Sequence, residues 1–297
     1  MEEMTKTGQF LDFETAKVQT LSLADLERTH KENDIYGKPL RGIYHHDLIR
    51  EIKARAEANN YKVEIYDLFA AQNKERNCPG VSLLPQIEAI HGEHAVEAHI
   101  LRRVYANIRL TNMDDEETTT NLAVAFHQKG IQVGFGPMVK ICHNQCMLSP
   151  EHYATTYGKG DGLGLTIPQI LEKVENWFAN AQSIIGKQRE KMEKMKSIEI
   201  EASRTFQLIG MLTAIRVACD TQNKDIRRAG TYPLNQAQIG QLTEDMLVAY
   251  NKSGKVTLWD FYNSATEMFK ANRMDIPQML PQNREFVKFM DEQFALA

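Results

Sequence analysis

The stretch HILRRVYANIRLTNMDDEETTTNLAVAFHQKGIQVGFGPMVKICHN, residues 99–144, reads as three strands in succession. β-Branched and aromatic residues are dense over about 99–111, 121–128 and 130–144, and each run is of strand length. The acidic loop MDDEETTT joins the first run to the second, and a tight turn at Lys129-Gly130 joins the second to the third, so the economical pairing is an antiparallel meander. A period of two places Ile100, Val104, Ile108 and Leu110 on one face of the first strand and Arg103, Tyr105, Asn107 and Arg109 on the other. The first set is expected against a helix. The second is expected on an open face, with His127, Gln132 and Lys140 as neighbours.

Working outward toward the C-terminus, the hydrophobic period changes to about 3.6. An apolar stripe runs from Ile167 through Trp177 to Met195, opening on a Thr166-x-x-Gln169 capping box with Pro168 in the first turn. This predicts one helix roughly 45 Å long at about 1.5 Å per residue. Its last turns, KQREKMEKMK, are charged on most sides and are expected to project from the core. After a break near SIEIEAS, the helix TFQLIGMLTAIRVAC is apolar on most of its surface, which predicts burial. Further helices are predicted at about 236–250 and 256–270.

Toward the N-terminus, VQTLSLADLERTH offers a strand entering a short helix with Ser22 as N-cap. A helix from about His46 to Asn59 follows, with Leu48, Ile49, Ile52 and Ala56 at helical spacing, and then the short strand YKVEIYDLF. The fold class is α+β: a small antiparallel sheet backed by a long helix, followed by a helical C-terminal half. The organisation is a polar segment over 1–20, an α+β sheet region over 21–165 and a helical region over 166–297 packed on it, with one domain overall as the alternative.

A chain of 297 residues buries a core without staples. Its four cysteines, Cys78, Cys142, Cys146 and Cys219, form no CxxC pair and no framework, which points to a reducing, cytoplasmic compartment. The N-terminal MEEMTKTGQF lacks the apolar run of a signal peptide, and nowhere are there enough consecutive apolar residues for a membrane span. The net charge of −4 argues against wholesale capture of nucleic acid and leaves room for a local basic patch.

Several constellations carry possible chemistry. Cys142, His143, Asn144 and Cys146 bring thiol, imidazole and amide together, the ingredients of a nucleophile or a metal site; the spacing is no standard knuckle, and a structural turn is the competing reading. HGEHAVEAH, 91–99, clusters histidines without forming HExxH. GKGDGLG, 158–164, precedes a helix as an anion-binding loop would, yet no GK[ST] follows. Arg103, Tyr105, Arg109 and Lys140 form a candidate platform for single-stranded DNA, with cations tracking phosphates and Tyr105 stacking on a base. No metal or cofactor is called for by any of these.

Two further signatures carry a resemblance. VKICHNQCM, 139–147, runs a strand into Cys-x-Asn, and TLWDFYNSATE sets Trp259, Tyr262, Asn263 and Thr266 at i, i+3, i+4 and i+7. Together with LSLADLERTH, GKPLRGIYHHDLI, FQLIGML and LNQAQIGQLTEDM in the same order, they resemble the phage/plasmid-like proteins of a family of unknown function, in its mobile-element branch. His143 stands where that family more often carries threonine or serine. The resemblance implies a mobile-element setting and no activity. It leaves three readings: a non-enzymatic accessory that binds or anneals single-stranded DNA and oligomerises through its helices, a module that binds a host protein through Lys187–Lys196, and a thiol enzyme using Cys142 and His143. The signature residues Cys142, His143, Asn144, Trp259, Tyr262, Asn263 and Thr266 have packing as the competing role.

Overall fold

A computed structural model describes residues 18–20, 22–24, 26–27, 43–71, 104–127, 130–140, 149–156, 164–220, 232–269 and 276–296. Six strands form one sheet: β1 (Val18–Thr20), β2 (Val63–Ala71), β3 (Val104–Leu110), β4 (Thr118–His127), β5 (Gly130–Val139) and β6 (Tyr153–Thr155). They lie in sequence order with every neighbouring pair antiparallel. The register couples Ile108 to Leu122 and Leu122 to Phe135, so that residues sharing a face line up across the three central strands. Between β3 and β4, Asp115 Oδ1 accepts the backbone N–H groups of Glu117 at 2.9 Å and Thr118 at 2.6 Å. The acidic loop is thereby a defined Asx-type turn.

Helices cover both faces of the sheet. On the face of the even positions of β3 and β4, which the register matches to odd positions of β5, α1 (His45–Ala58) and α2 (Ile167–Ala179) bury Leu48, Ile52, Ile170, Val174 and Phe178 against Val104, Ile108, Phe126 and Phe135. Each of these large side chains contributes roughly 1.5–3 kcal/mol by leaving water. Thr166 accepts the N–H of Gln169 while the Gln169 side chain accepts that of Thr166, the capping box that starts α2. On the opposite face, Tyr105, Ala123 and Ala125 enter a second core built by the C-terminal helices around Leu212, Leu242, Phe261 and Phe286. Those helices are α3 (Ala181–Ser197), α4 (Ala202–Asp220), α5 (Gln236–Ser253), α6 (Leu258–Glu267) and α7 (Ile276–Phe294). A two-residue ribbon, β7 (Glu199–Ile200) with β8 (Val256–Thr257), ties the end of α3 to the start of α6.

The single long helix of the sequence reading is two helices. Asn180 stands between them, its side chain donating to the Asn176 carbonyl of α2 at 2.8 Å, and its backbone (φ −112°, ψ 12°) leaves the helical region. The consequence is a change of course: α3 starts in the first core with Ala181 and Ile185 and ends in the second with Met192 and Met195. Its charged turns do not project. Gln188, Met192 and Met195 are buried, and Lys191 is ion-paired to Asp291 of α7.

Candidate functional site

The face of β3 that carries Tyr105, Asn107 and Arg109 alternates as the period of two requires, but it is not open. Tyr105 is 4% exposed, stacked on Phe69 with ring centroids 6.5 Å apart, and burial pushes its hydroxyl far above the ordinary tyrosine range. A ring so enclosed cannot stack on a base in this state, and the expectation of an open platform is corrected. The physical reason lies on the neighbouring strands. On the side shared with Tyr105 stand Ala123 and Ala125 of β4 and, by the register, Gly134 and Gly136 of β5, a low surface on which the C-terminal helices settle.

Two cations of the platform, Arg109 and Lys140, are spent inside the molecule. Arg109 donates from Nε and Nη2 to Asp114 Oδ2 at 2.8 and 2.5 Å, approaches Glu64 at 3.5 Å, and covers the Tyr66 ring at 5.6 Å. Lys140 Nζ donates to the Asp115 carbonyl. From α3, Arg189 meets Asp115 at 2.5 Å and donates to the Met113 carbonyl at 2.8 Å, while Lys196 pairs with Glu117. The acidic loop 113–117 is thus an internal counter-charge that fastens the sheet to α3. Burial works to raise the Asp115 carboxyl, but the Thr118 N–H, the Arg189 guanidinium and the Thr118 hydroxyl outweigh it and hold it below the usual range. Arg103, Cys142, His143, Asn144 and Cys146 lie outside the described residues, as do the 91–99 histidine cluster and most of the glycine-rich loop.

A polar layer lies between the sheet and α7. Asn107 Nδ2 donates to Met138 Sδ at 3.3 Å and Asn121 Nδ2 to Thr119 Oγ1 at 2.6 Å. Asn107 Oδ1, Asn121 Oδ1 and, on α7, Gln282 Oε1 are buried and accept no hydrogen bond. Opposite Asn107, at a register shift in β2, stands Asp67, whose carboxyl is raised by burial to about 6. Nothing in the sequence reading singled out Asp67. Its mark is an acid placed between apolar neighbours in YKVEIYDLF, which looks there like a solvent-side position.

The Trp259 signature belongs to the second core. Trp259 stacks on Tyr262 at 5.6 Å, Tyr262 meets Phe286 at 5.9 Å, and Thr266 Oγ1 donates to the Asn263 carbonyl at 3.0 Å. Thr257 caps this helix in a box with Asp260. At the start of β6, His152 Nδ1 is 2.9 Å from Gln188 Nε2 and its ring meets Trp177 edge-on, and burial lowers its pKa.

The surface the sequence reading missed is the outer side of α4 and α5. Their antiparallel packing is fixed at one end by Thr205 and Tyr250, whose hydroxyls are 2.8 Å apart, and at the other by Arg216 lying 4.3 Å over the Tyr232 ring. The inner sides bury Leu208, Leu212, Leu242 and Met246. Outward, Phe206 is 36% exposed, Leu247 47%, Val217 55% and Val248 64%. The expectation that α4 is buried is therefore corrected: a helix apolar on most of its surface has here covered only part of its circumference.

Among the described residues, no cluster of three or more His, Cys, Asp or Glu could hold a metal ion, and no helix is long and apolar enough to cross a membrane. No protein family, curated protein or solved structure matches this chain at a significant level.

Proposed function

We propose that this chain is a non-enzymatic protein-interaction module, with the outer α4–α5 face as its docking surface. The observation that carries the reading is the exposure of Phe206, Val217, Leu247 and Val248 on two adjacent helices. Large apolar side chains grouped on one side of a soluble surface are characteristic of association sites. The assignment moves the surface away from the Lys187–Lys196 turns, since Lys191, Lys196 and Arg189 already hold partners in the same chain. The single-strand-binding alternative loses its platform with Tyr105 enclosed and Arg109 paired. A mobile-element setting rests on the sequence signatures alone.

The test is site-specific photo-crosslinking in the producing cell, with the reactive group at position 248 and, as control, at the exposed Glu172 of α2. Protein adducts at 248 and none at 172 are the expected result. No adduct at 248 above the control level removes the reading.

A further inference from the structure

The outward positions of α4 recur at helical spacing: Ser203, Phe206, Gln207, Gly210, Ala214 and Val217, all exposed. They contain no charged residue. On α5 the outward set includes Ala237, Gly240, Gln241, Glu244, Leu247, Val248, Asn251 and Lys252, with Glu244 and Lys252 the two charged residues among them, so the set carries no net charge. Such a face offers a single lysine and no cluster of cations for phosphates, and little for a strongly charged peptide to pair with. In a chain that is 25% charged, its near-neutrality is a local property.

Glycine supplies a second observation. A methyl group built on Gly210 or on Gly240 would meet nothing within 4 Å, so no contact inside the chain requires glycine at either position. Glycine in an exposed helix interior costs about 1 kcal/mol relative to alanine. Gly210 lies in the middle of α4, one turn from Phe206, and Gly240 lies in the second turn of α5, two turns from Leu247 and Val248, so each leaves low ground on the outward face. The area also suffices. Two helices of 19 and 18 residues, at about 1.5 Å per residue and about 9 Å between axes, present a face of roughly 500 Å² per copy. Two such faces bury roughly 1,000 Å² in total, the lower bound for a specific interface.

We infer that the occupant of this face is a second copy of the same chain, docked about a two-fold axis so that the apolar knobs of each copy enter the glycine hollows of the other. A two-fold interface requires only that a patch complement itself, and a neutral patch bearing both knobs and hollows meets that condition. The inference rests on the reading of α4–α5 as a docking surface and adds the identity of the partner.

Sedimentation equilibrium of the full chain, from low micromolar to several hundred micromolar, tests it together with Val248→Glu and Gly240→Ala. The expected result is a reversible dimer whose dissociation constant rises at least about a hundredfold in Val248→Glu, because each substitution acts twice across a two-fold axis. Gly240→Ala is expected to weaken the dimer while raising the melting temperature of the dilute monomer. Failure to fold is not a concern for Val248, the most solvent-exposed of the four apolar residues. A monomer throughout the range, or a dimer indifferent to both substitutions, overturns the inference. If the chain is monomeric yet position 248 crosslinks to a different protein, the second copy is refuted and the docking surface stands. If it is monomeric and position 248 crosslinks to nothing, or only within its own chain, both readings fall.

Discussion

Replacing Asp67 by asparagine is expected to stabilise the protein above pH 6 and to leave it unchanged below about pH 4. Asp67 faces the sheet's polar layer opposite Asn107; burial raises its carboxyl from 3.8 to about 6, an amide N–H of Asn107 acts in the opposite direction, and Glu64 adds to the rise. A carboxyl whose folded pKa lies above its unfolded value binds its proton more tightly in the native state. Its contribution is therefore fully present below about pH 4, declines as pH rises, and is lost above about pH 6. Two pKa units at about 1.36 kcal/mol each give roughly 3 kcal/mol, and residual water access around the carboxylate reduces this to about 2. Asparagine carries no charge to desolvate, keeps an acceptor for the Asn107 amide, and brings an N–H within the neighbourhood of the unpaired Asn107 Oδ1. The assay is urea unfolding of wild type and Asp67→Asn at intervals from pH 4 to pH 8. Other groups titrate in this range, among them His152, whose lowered pKa makes stability rise with pH through the same interval. The difference between the two proteins at each pH removes such shared terms. A difference that stays flat across the range, or a variant less stable than wild type at pH 8, refutes the reasoning.

Arg189→Ala removes the cation shared by Asp115 and the Met113 carbonyl and is expected to cost about 1–2 kcal/mol, read by the same unfolding measurement, with part of the loss masked at high salt. Gly254 closes α5 in the left-handed region at φ 69°, so Gly254→Ala is expected to destabilise by about 1 kcal/mol and Gly254→Asn by less, although neither meets a steric obstacle. Thr257→Ala breaks the capping box of α6 and is expected to cost about 1 kcal/mol, with Thr257→Ser close to wild type. Titration of a labelled oligonucleotide at two salt concentrations is expected to show no binding that depends on Arg109; salt-sensitive binding lost in Arg109→Ala without a matching loss of stability would restore the single-strand platform.

The elements themselves were legible because their signals are local. Strand alternation, the Thr166 capping box and the helical stripe each depend on residues within a few positions of one another, and α1, β2 to β5, α2, α5 and α6 lie near their sequence-read places. What was not legible is which surfaces meet. Arg103, Tyr105, Asn107 and Arg109 read as an open face because their strand alone alternates polar with apolar. Its partners do not: Ala123 and Ala125 continue an apolar run in NLAVAF, and GIQVGFG offers glycine where an exposed strand would carry polar side chains. A strand apolar on both sides signals a sheet covered twice. The α4 error has the opposite sense. Periodicity says that TFQLIGMLTAIRVAC wants cover all round, and it does not say whether this chain or another supplies it. The break at Asn180 was hidden because asparagine at a helix junction keeps the apolar stripe in phase.

The junction at Asn180 lies where the chain passes from one core to the other. Before and just after it the chain packs in the first core through Phe178, Ala181 and Ile185, and α3 then carries Met192 and Met195 into the C-terminal core. The charged flank of α3 is then aimed at the loop 113–117, where Asp115 and Glu117 receive Arg189 and Lys196. The acidic loop, which by composition alone reads as a barrier to anions, is better understood as the anchor for that flank. The sheet belongs to both cores at once, with Ile108 and Leu122 in one and Tyr105 and Ala123 in the other. Separating the chain at the glycine-rich stretch before Thr166 would therefore strip a face from each core. The boundary where the hydrophobic period changes is a change of layer on a sheet that serves both cores.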